Sequence, residues 1–127
     1  MKIALMTFIL LITFLLSGCS VNMGNYSVIS TKQIEWERGD EFYLHNQRIQ
    51  GRDVSHIIVL FPTKTIITIQ EAVENALNRI PGAIAMTNVT TKSSWFYIPY
   101  IYGQQNIYVE GNVVLDPKLL PGYQPRW

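Results

Sequence analysis

The first run of hydrophobic positions, Ile3 to Leu16, is interrupted only by Thr7 and Thr13. Fourteen residues at 1.5 Å rise reach about 21 Å, well short of the roughly 30 Å hydrocarbon core of a bilayer. The pattern therefore predicts a signal-type h-region and not a membrane span. Farther on, Val28, Ile34 and Trp36 share one parity with polar residues between them, which predicts a half-buried strand within 26–36. Glu37 to Asp40 reads as a turn. His56 to Phe61 is a continuous, β-branched apolar run closed by Pro62, the pattern of a central strand. Ile69, Ala72, Val73, Ala76, Leu77 and Ile80 then fall on one face of an amphipathic helix about 18 Å long. Thr68 and Glu71 form a capping-box pattern at its start, and Pro81-Gly82 stops it.

Two more strands are expected, over 83–92 and 106–116. The second places Ile107, Val109, Gly111, Val113 and Leu115 on one parity, and Gly111 marks a bulge or a close backbone approach. Between them Pro99 and Gly103 shape an aromatic segment into a loop. The tail carries Pro117, Pro121, Gly122 and Pro125 and reads as an irregular arm. The sum is an α+β fold: a small antiparallel or mixed sheet of about four strands, in the order β-β-α-β-β, with one helix on one face. The link from 56–62 through the helix to 83–92 is either a right-handed parallel crossover or an antiparallel return.

Composition divides the chain in the same way. The first 18 residues hold 13 hydrophobic residues, so the remaining 109 have the apolar content of an ordinary globular domain, enough for one core. The expected organisation is a signal peptide over 1–18, a tether over 19–25, one domain over 26–116 and the arm over 117–127. Ten Lys and Arg face nine Asp and Glu, and without Lys2 the charge is zero, which disfavours nucleic-acid binding. A single cysteine excludes a disulfide framework and any multi-cysteine metal site.

That cysteine closes the run Leu16-Ser17-Gly18-Cys19, which resembles the lipobox of bacterial lipoproteins. Its thiolate can be alkylated to a diacylglyceryl thioether, small residues before it admit the peptidase, and the freed amine can be acylated. Acyl chains at about 0.8 kcal/mol per buried CH₂ make a stable anchor, so the partner expected through Cys19 is a membrane. Ser20, rather than Asp, follows the cysteine. By resemblance to the enterobacterial sorting rule this implies the outer membrane of a Gram-negative host, with the domain facing the periplasm or the cell surface.

The helix end Ala76-Leu77-Asn78-Arg79-Ile80-Pro81-Gly82-Ala83, the Thr87-Asn88-Val89 strand and the segment from Trp95 through Pro99-Tyr100-Ile101-Tyr102-Gly103 to Tyr108-Val109-Glu110-Gly111 add to this. With the lipobox they resemble small bacterial lipoproteins of the TRL-like kind and, more loosely, Bor-like surface lipoproteins. The resemblance covers about residues 56–115 and implies location and fold. That family has no assigned chemistry, so it implies no catalytic residue.

The residues themselves argue against an enzyme. His45 and His56 lie on different expected elements with no third ligand near, short of the three or four that zinc needs. No serine sits in a Gly-x-Ser-x-Gly turn and no glycine run cradles phosphate. Glu35, Glu37, Asp40 and Glu41 read as a solvated strand end and turn, as does the Arg38-Gly39-Asp40 tripeptide. No cofactor and no metal are expected. What stands out is aromatic clustering: Trp95, Phe96, Tyr97, Tyr100, Tyr102 and Tyr108 lie within fourteen residues. Trp95, Tyr97, Tyr100 and Tyr102 are the candidate interaction surface, since such rings offer large apolar area with a polar handle. The competing reading is that they lid the core. The expected role is a non-enzymatic interaction in the envelope, with another envelope protein as a partner. The alternative is a small-ligand or glycan binder that uses the 95–108 aromatics.

Overall fold

The computed structural model describes residues 1–15 and 18–124; Leu16 and Ser17 of the lipobox and residues 125–127 of the arm lie outside the described residues. The elements are α1 (Lys2–Leu15), β1 (Gly18–Ile29), β2 (Tyr43–Ile58), β3 (Phe61–Pro62), α2 (Ile69–Leu77), β4 (Ala83–Ile98) and β5 (Tyr102–Leu115). Two short 3-10 helices, Trp36–Glu41 and Pro117–Leu119, complete them. The five strands form one antiparallel sheet in the order β1-β4-β5-β2-β3, so the fold is α+β with five strands rather than about four. Because β2 and β4 each pair antiparallel with β5, they run parallel to one another with β5 between them. The chain passes from β2 through the short β3, which is antiparallel to both, and then through α2 to β4, so β2 and β4 are related as in a split β-α-β unit.

α2 covers one face of the sheet. Thr68 caps it, its hydroxyl accepting from the Glu71 amide at 3.2 Å. Only that half of the expected capping box forms, since the Glu71 carboxylate pairs with Lys64 instead. The helix ends at Leu77, one turn before Ile80, which packs against the core from the following turn. Ala72, Val73, Ala76 and Leu77 are buried against Met86, Val89, Ile107, Val109, Val113 and Leu115 from β4 and β5. The helix comes this close because Gly51 lies beneath it in β2: a Cβ there would stand 1.9 Å from the Ala72 carbonyl oxygen and 2.7 Å from the Ala76 Cβ. Gly111 is a close approach of the same kind, its absent Cβ falling 2.8 Å from the Thr87 carbonyl oxygen. The bulge itself lies opposite, in β4 between Thr87 and Thr90, where Asn88 takes a φ of 51°.

Four expectations are corrected. Residues 19–25, read as a tether, lie in β1 and pair with β4, because β4 extends far enough to give them a hydrogen-bonding partner. The 26–36 strand instead ends at Ile29. Ile29 packs toward the core opposite Met86 while Val28 is exposed, a one-residue change of parity that reverses the expected faces. The 56–62 run is no central strand: β2 ends at Ile58, Val59-Leu60 turn the chain, and Phe61–Pro62 return as β3 at the sheet edge. The 95–103 segment is likewise no separate loop, since β4 and β5 pair through Ile98↔Tyr102 and leave only residues 99–101 at the tip. In the arm, Pro117–Leu119 forms a 3-10 turn capped by Asp116.

Two buried carboxylates tie the connections to the sheet. Asp53 accepts from Lys64 Nζ at 2.7 Å and from the Thr68 amide at 2.9 Å, which fixes the segment leading into α2. Asp116 takes a two-pronged contact from Arg38, whose guanidinium also holds Glu35 and Glu41. The arginine of the Arg-Gly-Asp tripeptide is thereby held in a structural clamp. Burial pushes both Asp carboxyls up, but their partners outweigh it: Lys64 and the Thr68 and Val54 amides hold Asp53 below the ordinary carboxylate range, and Arg38 and the Lys118 amide do so for Asp116. A carboxyl whose folded pKa is depressed stabilises the fold fully above its unfolded value, near 3.9, and loses that contribution as pH falls through the folded value. The urea midpoint should therefore drop steeply below about pH 4. Asp53→Asn should lower the midpoint at neutral pH and flatten the acid limb; an unchanged acid slope would remove Asp53 from the account.

Candidate functional site

The candidate residues collect at one end of the sheet. β1 enters beside β4 with Cys19 opposite Trp95, Trp95 opposite Gln105 and Gln105 opposite Ser55, so one transverse row runs across four strands. Directly opposed residues share a face, which puts Cys19 and Trp95 on the side that α2 covers farther along. The Cys19 thiol is free and exposed. Three residues beyond this row, about 10 Å along the strands, stand the β2–β3 and β4–β5 turns.

The two turns are joined. The Val59 amide donates to the Ile101 carbonyl at 3.1 Å, the Ile101 amide to the Ile98 carbonyl at 3.1 Å, and the Tyr97 hydroxyl reaches the Val59 carbonyl at 3.4 Å. Their side chains face outward: Leu60 is 60% exposed, Phe61 77%, Tyr100 76% and Ile101 66%, with Ile58 and Val59 about half exposed. No Asp, Glu, Lys or Arg occurs in 54–63 or in 93–109. Val59 and Tyr100 both take a φ of 61°. Glycine or asparagine adopts that conformation at little cost, whereas a β-branched or bulky residue there costs about 1–3 kcal/mol. The turns keep apolar side chains at positions where local stability favours polar or absent ones.

The four candidate rings do not share a face. Trp95, half exposed, and Tyr97, packed over Gly103, lie on the helix side. Tyr100 projects from the tip. Tyr102 lies on the opposite face, between Phe96 and His56, with ring centroids 5.7 and 5.9 Å away. His56 Nδ1 is 2.5 Å from the Tyr102 hydroxyl, and His45 Nδ1 accepts from the Gln47 amide two residues on. Among the described residues no group of three His, Cys, Asp or Glu converges as metal ligands would. Glu35 and Glu41, two of the acidic residues near the turn, are held by Arg38.

Sequence reasoning missed Ile58, Val59, Leu60, Phe61 and Ile101 as site residues. The signal was present, since an apolar run that does not alternate can be either a buried strand or an exposed tip. It missed the open sheet face as well, where Ser20, Gln50, Thr90, Lys92, Ser94, Tyr108 and Glu110 line a hollow of about 260 Å³. Tyr108 is the one aromatic residue of that lining, and Arg52 lies 5.4 Å from its ring centroid. Comparison with protein-family models, with curated proteins and with solved structures finds no match to this chain.

Proposed function

We propose that the chain is a lipid-anchored bacterial envelope lipoprotein of the TRL-like kind, held in the outer membrane through Cys19, with a non-enzymatic interaction role. The observation that carries this reading is the pairing of α1 with an exposed cysteine three residues past the h-region. Every described side chain from Lys2 to Phe14 is exposed, and none of them belongs to the hydrophobic core cluster. No helix among the described residues is long and apolar enough to cross a membrane. A thioether-linked diacylglycerol on Cys19 would then supply the attachment that α1 is too short to give.

Metabolic labelling with a clickable fatty acid tests the anchor. The wild-type chain should take up label and appear in the membrane fraction, and globomycin should accumulate the lipidated, uncleaved form. Cys19→Ala should remain an unlabelled precursor. Equal labelling of the two chains would defeat the anchor.

A further inference from the structure

We propose that the two joined hairpin tips, residues 58–61 and 99–101, dip into the bilayer interface beside the Cys19 anchor, so that the sheet stands on the membrane with its strands upright. This rests on the lipoprotein reading and adds a second membrane contact made by the protein itself. The occupant is lipid because the patch is continuous with the attachment point: Cys19 and Trp95 are cross-strand neighbours, and the tips extend about 10 Å beyond them in the direction from which α1 arrives. The order of residue types along that direction matches a bilayer boundary. Trp95 sits at the level of the anchor, where indole rings favour the headgroup region, and Val59, Leu60, Phe61 and Ile101 reach deeper, where hydrocarbon is. Charged residues are absent from both tips. The bonds from Val59 to Ile101 and from Ile101 to Ile98 occupy turn amides that would otherwise be costly to remove from water. The strained φ at Val59 and Tyr100 has the same explanation, since relaxed Gly or Asn turns would surrender the apolar surface.

The test uses the lipidated chain, purified after fatty-acid labelling and reconstituted into vesicles of phosphatidylethanolamine and phosphatidylglycerol brominated on the upper acyl chain. Trp36→Phe, Trp95→Phe and Trp127→Phe remove the native indoles, and Tyr100→Trp places one at the tip. Its emission should shift to the blue and be quenched several-fold, whereas a chain retaining only Trp36, which lies in the Trp36–Glu41 helix, should be quenched little. In a chain that keeps Trp95 as its only indole, Val59→Asn with Tyr100→Asn should leave the urea midpoint unchanged or raised, and should reduce quenching of Trp95. A labelled, incorporated chain whose tip indole emits as in water overturns the insertion and leaves the anchor standing. Undiminished Trp95 quenching in the Asn variant also overturns it, because the anchor alone would then bring the domain to the lipid. Absence of label on Cys19 overturns the anchor and the insertion together.

Discussion

Leu77→Ala is expected to destabilise the domain by about 2–5 kcal/mol, the sum of the lost transfer free energy and the cavity left behind. Leu77 is fully buried at the last position of α2, in the cluster that includes Val73, Met86, Val109 and Val113. The neighbours cannot close the space cheaply, because four-residue spacing on a short helix leaves Val73 and Leu77 as its two large fully buried side chains. Glu74 is exposed on the opposite side of the same helix, and Glu74→Ala should change stability by less than about 0.5 kcal/mol. Urea midpoints read the difference directly. Equal damage from the two substitutions would mean that the helix packs in another phase.

Gly51→Ala is the second large effect, and it works by excess rather than by loss. The added methyl would occupy the space of the Ala72 carbonyl oxygen and crowd the Ala76 Cβ, both parts of α2 that no rotamer change can move. The helix must lift from β2, and Val73 and Leu77 lift with it. Overpacking of this kind costs about 1–3 kcal/mol, and a backbone collision belongs at the upper end. Gly39→Ala meets nothing within 4 Å and serves as the control, with a change expected within about 0.5 kcal/mol. A Gly51→Ala chain with the wild-type midpoint would show that the helix does not sit at the distance described.

These two positions also mark the boundary of what could be read from residue order. Leu77 was legible because a helix stripe and its Thr68 cap are local: i, i+3 and i+4 spacing and one hydroxyl define them without reference to the sheet. Gly51 was not, and most of β2 was missed with it. Its helix-facing positions there are Gly51, Asp53 and Ser55, chosen for closeness and for hydrogen bonds to the connection above, so the strand lacks the apolar alternation that would announce it.

The candidate site divides along the same line. Residue order alone singled out Cys19 after a short apolar run and an aromatic-rich segment over 95–108. It also placed the chain in the α+β class, because one clear helix among strand-like runs leaves few other arrangements. Only the tertiary structure decided that 19–25 pair as a strand, that Trp95 stands beside Cys19, and that 56–62 turn outward rather than run through the centre. Periodicity reports which residues avoid water, and a core and a lipid boundary ask the same of a side chain. Which of the two a run meets is set by partner strands distant in the chain, through register and the side of the sheet that α2 takes.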